Sequence, residues 1–343
     1  MESLKRLNIC DPENQVKLTS NDIHPANVSN EYPVNVFTTL KYVESLCIEA
    51  FFDVNFTTDF SNMSSLQVLD ISWSYARKLY NNSFSPFVNS SLSYLSIQSS
   101  QLDYIELCAF CGLRLKTLIL RDNVFLMVDV AMASLFGLKG LEMNTVDFEH
   151  IGTGQPNQTH ILHHPILMEI CTSYFNLASS YIRWIDSSLL TPNSTTFGQC
   201  IEHLDLSSNE IRGDIKFFLL AKKLFKLKSI HLESQYKFSL DRAACVLNND
   251  ARQCVSRQHY RQDPIPQTFF VNLTRSLEVL NYSSANDYFN GPPITIHILG
   301  ADNLAILDLS YGAIGNCNTT ITGLNNLQVI LIYHINMIKI FHT

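Results

Sequence analysis

The chain has 343 residues, of which 46% are hydrophobic and 16% charged, and this apolar content excludes intrinsic disorder as the default state. The net charge is −7, from 24 basic and 31 acidic residues, and no block of Lys or Arg supplies the basic surface of a dedicated nucleic-acid-binding protein. No apolar run reaches about 18 residues, and the opening residues lack the apolar stretch of a secretory signal. The sequence therefore predicts neither a transmembrane helix nor a signal peptide in this chain.

One apolar pattern recurs along the chain. Four segments match LxxLxLxxNxL at every apolar position: Leu92–Leu102, Leu115–Phe125, Ile201–Ile211 and Leu304–Ile314. Asn123 and Asn209 occupy the asparagine position in two of them, and Ser100 and Gly312 replace it in the others. Looser copies begin at Leu4, Val43, Leu66, Leu138, Leu167, Leu227, Leu277 and Leu327. Seven of the eleven intervals between starts are 23 to 27 residues long, which is typical of leucine-rich repeats.

The residue types of this pattern predict a leucine-rich-repeat horseshoe, an α/β solenoid with a parallel concave β-sheet and an irregular or short-helical convex side. The LxL pair of each repeat points inward from a short strand, because strand side chains alternate between faces. The asparagine amide binds backbone groups of the neighbouring turn that would otherwise be buried without partners. We expect residues 1–343 to form one solenoid of about 12 repeats, with irregular insertions near 152–200 and 238–276.

Ten N-x-S/T sequons indicate an extracellular glycoprotein. They lie at Asn27, Asn55, Asn62, Asn81, Asn89, Asn157, Asn193, Asn272, Asn281 and Asn318. An Asn- and Ser-rich sequence also produces such triplets by chance. Asn281 falls on a predicted strand with its side chain on the concave face, where a glycan would move a ligand to a flank or to another part of the sheet.

The repeats resemble the ectodomains of Toll-like receptors. Repeat lengths are irregular, sequons are dense, and a phenylalanine precedes several repeats, as at Phe60, Phe87, Phe110 and Phe136. The resemblance covers nearly the whole chain and implies a ligand-binding part of an innate immune receptor that pairs with a second receptor chain. Such receptors also carry a transmembrane helix and a cytoplasmic signalling domain, which this sequence does not include. Both ends interrupt a repeat, so we expect a fragment of a longer receptor or a partial gene product.

The nine cysteines predict one disulfide, between Cys245 and Cys254, because both lie in one long insertion. Closing that loop would stabilise the fold by roughly 2–3 kcal/mol, and two free thiols are the alternative. Cys108 and Cys111 have the spacing of half a zinc site, but no second ligand pair accompanies them, so we expect no metal and no cofactor.

Candidate binding residues were assigned from the outward positions of the predicted strands. Acidic residues outnumber basic ones there, which disfavours an anionic ligand such as nucleic acid. Trp73, Tyr94 and Tyr311 are candidate aromatic anchors, although packing against neighbouring strands is an equally good interpretation. The full set is Glu44, Glu49, Asp70, Trp73, Tyr94, Arg121, Asp122, Glu142, Glu202, His203, Asp205, His231, Glu233, Asp308 and Tyr311.

Two irregular segments are further candidates. One segment carries a group of histidines, which are either solvated loop residues or part of a pH-sensitive contact. They are His160, His163 and His164, with His150 nearby. The segment 237–275 is polar and locally basic and interrupts the repeat register. Such an insertion is either a functional loop or a spacer, and the resemblance implies a role in ligand binding or dimer contacts.

No nucleophile elbow, phosphate-binding loop, GxGxxG or HExxH motif is present, so the sequence predicts no enzyme. The predicted function is that of a Toll-like pattern-recognition receptor ectodomain that binds a microbial or protein ligand and dimerises on binding. It would lie outside the cell or in the endosomal lumen. The alternative is an extracellular adhesion, matrix or soluble decoy protein without a signalling role.

Overall fold

The computed structural model describes residues 4–10, 37–48, 53–152, 161–162, 165–185, 195–211, 224–235, 268–283, 295–310, 319–331 and 338–341. Twelve short strands within these ranges form one parallel sheet, in the order in which they occur along the chain. Among the described residues, no helix has the length and apolar character needed to cross a membrane.

The main sheet contains one strand from each repeat. Its strands are β1 (Arg6–Asn8), β2 (Ser45–Cys47), β4 (Val68–Asp70), β6 (Tyr94–Ser96), β8 (Thr117–Ile119), β9 (Glu142–Asp147), β11 (Cys171–Asn176), β13 (His203–Asp205), β14 (Ser229–His231), β16 (Val279–Asn281), β18 (Ile306–Asp308) and β20 (Val329–Leu331). The predicted leucine-rich-repeat solenoid is confirmed by this stacking of parallel strands, in which each repeat covers its neighbour.

The LxL leucines form the core as the pattern predicts. Leu118 and Leu120 are fully buried, as is Leu206, and Leu204 is 2% exposed. The residue between each pair points to the opposite face of the sheet, because strand side chains alternate. Burial of one leucine side chain contributes about 1.5–3 kcal/mol, so a continuous row of such leucines is the main favourable term in the fold.

A repeated backbone pattern fixes the register between neighbouring repeats. The carbonyl of the residue before each strand accepts two N–H groups of the next repeat, as Lys116 does from Asn144 at 2.7 Å and Thr145 at 3.1 Å. Glu202 does the same for Lys228 and Ser229. Each repeat therefore has one unambiguous alignment on the next.

This alignment shows that the predicted repeat starts at Leu138 and Leu167 are wrong. Val146 pairs with Leu118, and Phe175 pairs with both Val146 and Leu204. The repeats therefore begin five residues later, at Met143 and Thr172, and the intervals from residue 115 through 143 and 172 to 201 become 28, 29 and 29 residues. Leu138 is fully buried, but it belongs to a helical turn on the other side of the core.

The asparagine position joins one repeat to the preceding one. The Oδ1 atom of Asn209 accepts hydrogen bonds from the backbone N–H of Ser180 at 2.9 Å and of Ile182 at 3.0 Å. Its Nδ2 donates to the carbonyls of Leu177 and Leu206 at 2.8 and 2.9 Å. Asn209 is fully buried, so these four bonds have no competition from water.

Other residues occupy the same position in other repeats. Asn123 donates to Ile97 O and accepts from Leu102 N. Gln235 replaces asparagine and keeps the pattern, because its Nε2 donates to Leu206 O at 2.9 Å and its Oε1 accepts from Ile211 N at 2.9 Å. The bend is thus specified by a buried amide at this place, and one extra methylene is tolerated.

The residue before this position adopts a left-handed conformation in every repeat where it is described. Its φ lies between 51° and 59° at Trp73, Ser99, Asp122, His150, Ser179, Ser208 and Ser234. Non-glycine residues are uncommon in this region, and the conformation is maintained here because the N–H of each of these residues donates to a carbonyl of the following repeat.

The sides of the solenoid are built from short strands and helical turns. Three smaller parallel sheets contain β3 (Asp53–Val54), β5 (Lys78–Leu79) and β7 (Tyr104–Ile105); β10 (Ile161–Leu162) and β12 (Trp184–Ile185); and β15 (Thr268–Asn272), β17 (Thr295–Leu299), β19 (Thr319–Thr322) and β21 (Ile338–Phe341). Within the described ranges, the helices are α1 (Val128–Ser134) and α2 (Thr195–Cys200), and the 3₁₀ turns are Thr58–Asn62, Ser85–Phe87, Leu135–Leu138 and Pro165–Met168.

Phenylalanines fill the convex side of the first repeats. Phe60, Phe87 and Phe110 are buried, and the rings of Phe60 and Phe87 lie 5.8 Å apart. Phe136 is 46% exposed and does not continue this row, because Leu135 and Leu138 are the residues that its 3₁₀ turn buries. The phenylalanine before a repeat start therefore indicates convex-side packing only in the first part of the chain.

The disulfides link neighbouring repeats or close a turn. Cys10 bonds Cys47, Cys108 bonds Cys111, and Cys171 bonds Cys200. Sequence spacing did not identify these pairs, because residues distant in sequence become neighbours only through the stacking of repeats. The predicted pair Cys245 and Cys254 lies outside the described residues.

We expect Asn209→Ala to lower the free energy of unfolding by about 3 kcal/mol, because it leaves buried backbone groups of two repeats without partners. Urea unfolding followed by circular dichroism measures this loss. Asn144→Ala, at an exposed asparagine of β9, is the matched control and should change stability by less than about 0.5 kcal/mol. Equal losses in the two variants would contradict the role assigned to the buried amide.

Candidate ligand-binding face

The outward-pointing residues of the main sheet form a face, called here the concave face, that no other described element covers. In the central strands β6 to β14, the residue immediately before the first inward-pointing residue of the LxL pair carries a polar or aromatic side chain. These residues are Tyr94, Thr117, Thr145, Tyr174, His203 and Ser229. Tyr94 and Tyr174 lie three strands apart, about 14 Å at the usual strand spacing, with the two threonines between them.

Arg121 stands near the centre of this face and is held by a carboxylate. Its guanidinium lies 2.5 Å from Oδ2 of Asp147, whose side chain is only 4% exposed. This hydrogen bond raises the pKa of Arg121, and the carboxylates of Asp147, Glu149 and Asp122 add to the effect. Because Asp147 is buried, Arg121 neutralises a charge that would otherwise be costly to bury.

The surroundings of the two tyrosines raise their pKa values. Burial raises the pKa of Tyr174 to about 12, and the carboxylates of Asp205, Asp147 and Glu149 contribute in the same direction. Burial and the carboxylate of Asp70 also raise the pKa of Tyr94. A phenol is already neutral near pH 7, and the raised pKa values keep both phenols neutral to higher pH, so both can donate a hydrogen bond to a ligand. We call Tyr94, Arg121, Asp147, Glu149 and Tyr174 the central patch.

The acidic residues at the strand ends also stabilise the backbone turn that follows each strand. A side-chain oxygen of Asp70, Asp205 and Asp308 accepts the backbone N–H two residues later at 2.9 Å. Asn176 makes the same turn with Ala178 at 2.9 Å, and Asn281 makes it with Ser283 at 3.2 Å. Aspartate and asparagine are both favoured in such turns, so part of the acidity of the face follows from how each strand ends.

The strand-end turn accounts for the asparagine at position 281. It lies at the end of β16 on the concave face, as predicted. The strand-end turn is written D-x-S at Asp70, Asp205 and Asp308, and Asn281-Tyr-Ser is its asparagine form, which coincides with a sequon. Glycosylation of Asn281 stays a prediction, since the turn alone accounts for the residue.

The exposed sequons lie away from this face. Asn55, Asn62, Asn81 and Asn89 are all exposed and flank the strands and 3₁₀ turns of the convex side. Asn27, Asn157, Asn193 and Asn318 lie outside the described residues, as does the side chain of Asn272.

We expect a glycopeptide map of the chain secreted from a eukaryotic cell to show high occupancy at Asn55, exposed directly after β3, and at Asn89, exposed on a turn. Low occupancy is expected at Asn281, whose Oδ1 is bonded within its turn. Enzymatic deglycosylation in heavy-oxygen water followed by mass spectrometry measures each occupancy. Full occupancy at Asn281 would show that a glycan covers that part of the concave face.

His231 lies at the end of β14 beside two carboxylates. The nearest is Glu233, with 3.7 Å between Nδ1 and Oε2, and Asp205 stands opposite on β13. Glu233 is the main reason that the pKa of His231 is raised, with a further contribution from Asp205 and an opposing effect of burial. The third neighbour, Asn281 on β16, carries no charge.

Because its pKa is raised in the folded chain, His231 stabilises the fold when protonated. This contribution is complete below the pKa of an unfolded histidine, about 6.5, and is lost as the pH rises through the higher folded value. We therefore expect the stability difference between the parent chain and His231→Gln to be larger at pH 5.5 than at pH 8.5, as measured by urea unfolding. In a Glu233→Gln background this pH dependence should shrink; an unchanged dependence would exclude Glu233 as the cause.

Some of the predicted site residues lie on or next to the central strands, and others lie at the edge of the concave face or outside the described residues. Tyr94, Asp205 and His231 lie on central strands, and Arg121 follows β8. Trp73 is 51% exposed in the bend after β4, at the edge of the face instead of on a strand. Tyr311 lies outside the described residues, as do Glu49, His160, His163 and His164.

Sequence reasoning missed Tyr174, Asp147 and Glu149. The register assigned at Leu138 and Leu167 placed them in other positions of the repeat, whereas the corrected starts at Met143 and Thr172 place them on the concave face. The nearly equal intervals of 28, 29 and 29 residues between residues 115 and 201 were the pattern that could have revealed them.

Ser99, Asp122 and His150 follow one another along the bend, but their order does not favour nucleophilic chemistry. The carboxylate of Asp122 lies between the other two, 3.4 Å from Ser99 Oγ and 2.9 Å from His150 Nδ1. A serine nucleophile needs the imidazole beside its hydroxyl. Within the described ranges, no group of three His, Cys, Asp or Glu residues is arranged to hold a metal ion.

Comparisons with known proteins agree with this architecture. No model of a known protein family matches the sequence. An 87-residue stretch, 25% of the chain, is 38% identical to Toll-like receptor 4 of Felis catus and spans 10% of that relative. The crystal structure of the TLR13–ssRNA13 complex matches 86% of this chain and 40% of the receptor chain, with a TM-score of 0.52 and 18% identity. A Leptospira interrogans leucine-rich-repeat protein, with 79% of each chain covered and 12% identity, reaches a TM-score of only 0.23.

The parallel stack of LxxLxLxxN units defines a leucine-rich-repeat solenoid. The solved TLR13 chain shares this fold, and the present chain covers 40% of it and 10% of the Toll-like receptor 4 relative.

Proposed function

We propose that the chain is a ligand-binding region of a Toll-like innate immune receptor, and that the central patch contacts the ligand. The observation that carries this proposal is the combination of a Toll-like solenoid with an uncovered patch in which two protonated tyrosines flank a fixed arginine. Tyrosine and arginine are the residue types that most often dominate binding energy at interfaces; here the tyrosines lie on strands of the main sheet, and Arg121 follows β8 and is held by Asp147. We propose that the ligand induces pairing with a second receptor chain.

Charge favours a ligand with basic groups on this face. Asp70, Asp122, Glu149 and Asp205 all act electrostatically on the patch residues. The TLR13 chain was solved with single-stranded RNA, but a phosphate backbone approaching this face would meet carboxylates. A microbial product or protein ligand with cationic groups fits better than nucleic acid.

Extracellular or endosomal placement is supported by the covalent chemistry of the chain. Three disulfides are formed among the described cysteines, and disulfides persist in oxidising compartments. The exposed sequons on the convex side are consistent with the same compartment. A single-pass parent receptor would hold this region outside the cytoplasm.

Binding of a poly-lysine peptide to the immobilised chain tests the charge and the location of the site together. We expect poly-lysine to bind and poly-glutamate and single-stranded RNA not to bind at pH 7.4. Tyr174→Ala should weaken binding about fivefold or more, as at an interface hot spot. Glu149→Gln, which keeps the shape of the side chain, should weaken binding and reduce its dependence on salt.

Tyr104→Ala is the matched control, because Tyr104 is 44% exposed on β7, outside the main sheet. Equal losses in Tyr104→Ala and Tyr174→Ala, or tighter binding of RNA than of poly-lysine, would contradict the proposed site.

Sedimentation velocity of the chain with bacterial extracts tests dimerisation. A chain that binds ligand but stays monomeric would favour the adhesion or decoy alternative.

A further inference from the structure

The Cys108–Cys111 disulfide differs from the other two in what it joins. Cys10–Cys47 connects residues 37 apart in sequence and links the first two strands of the sheet. Cys171–Cys200 connects residues 29 apart and links β11 to the helix that precedes β13. Cys108–Cys111 spans three residues and joins no two repeats.

The turn that contains this pair is held without the sulfur–sulfur bond. Phe110 is fully buried between the two cysteines and packs 5.8 Å from the ring of Phe84. The backbone N–H of Cys108 donates to Asn81 Oδ1 at 2.9 Å, and that of Cys111 donates to Cys108 O at 3.2 Å. The cysteines would therefore keep their positions if the disulfide were reduced.

The next repeat also fixes the turn. A Cβ atom on Gly137 would lie 2.7 Å from the backbone nitrogen of Cys111, which shows how closely the two backbones approach. Both cysteines are themselves only half-buried, on the side of the solenoid away from the concave face. Among the described residues no group of three His, Cys, Asp or Glu could hold a metal ion. A half-exposed C-x-x-C pair has the spacing of known thiol-exchange motifs.

We propose that Cys108 and Cys111 form a thiol-exchange site on the convex side, which passes between disulfide and dithiol while the solenoid stays folded. The inference is independent of the receptor function proposed above. Its substrate is a thiol, either a small molecule such as glutathione or a cysteine of an oxidoreductase.

The exchange proceeds in two balanced steps. A thiolate attacks one sulfur of the pair, the Cys108–Cys111 bond breaks, and the other cysteine leaves as a thiolate, which gives a mixed disulfide. A second thiolate attacks the incoming sulfur of that mixed disulfide, so that the external disulfide and the protein dithiol are formed. Two external thiols are oxidised and one protein disulfide is reduced. In the reverse direction, the neighbouring cysteine resolves the mixed disulfide.

Removal of the bond should affect folding little. In the chain-entropy description, the contribution of a disulfide grows with the loop it closes. With both cysteines counted, the Cys108–Cys111 loop has 4 residues (a separation of 3) and the Cys171–Cys200 loop has 30 (a separation of 29). We expect Cys171→Ser/Cys200→Ser to raise the unfolding equilibrium constant about 20-fold more than Cys108→Ser/Cys111→Ser does.

The decisive experiment follows each disulfide in the folded chain. The protein is incubated in glutathione buffers of graded redox ratio, quenched with acid, alkylated and mapped by mass spectrometry, while circular dichroism follows the fold. Cys108 and Cys111 should become alkylated without a change in the spectrum, and oxidised glutathione should restore the bond. Cys111→Ser should acquire one glutathione on Cys108.

Two outcomes would overturn the proposal: Cys108 and Cys111 stay oxidised until the fold is lost, or their reduction itself unfolds the chain. A second arm adds a catalytic amount of a dithiol oxidoreductase. Faster exchange in that arm identifies a protein thiol as the better substrate, whereas equal rates identify the small thiol; both require that the pair exchanges in the folded state.

Discussion

The structure depends on the need to satisfy backbone groups at the bend that follows each strand. There the chain turns away from the sheet while still buried, so its N–H and C=O groups cannot reach water. Asn123, Asn209 and Gln235 solve this with one amide that donates to two carbonyls and accepts from the neighbouring repeat. Serine does part of the task at Ser180, whose hydroxyl donates to Phe148 O at 3.0 Å. The side chain that closes each bend therefore also joins its repeat to the neighbouring repeat.

The same requirement shapes the candidate site. The strand ends are closed by Asp or Asn side chains, and where aspartate is used the second carboxylate oxygen is left to the concave face. The two tyrosines lie among these carboxylates on strands packed on the core, and Arg121 follows such a strand. An interface built this way has little freedom to lose on binding, which suits a recognition surface better than a catalytic one.

The sequence predicted the solenoid because its pattern is local. Leu118, Leu120 and Asn123 lie within six residues and determine one another's environment, so their roles could be read directly. Tyr174 and Asp147 could not be placed in the same way. Leu138 and Leu167 mimic a repeat start, and only the pairing of Val146 with Leu118 and Phe175 shows the true register. The disulfides were unpredictable for a related reason: Cys171 and Cys200 become neighbours through α2, whose position depends on the stack.

The buried amides also give the solenoid a direction. Asn209 completes the hydrogen bonds of Ser180 and Ile182, which precede it, and Gln235 does so for Ile211. At the bends, the backbone N–H groups of one repeat are therefore bonded by an amide side chain of the repeat that follows it. A protease cut that strips units from the carboxyl side would leave the last surviving bend with orphaned amide protons. Trimming from the amino side would instead orphan N–H groups at the start of the next strand, such as those of Asn144 and Thr145. The two ends of a shortened array would therefore expose different unpaired groups.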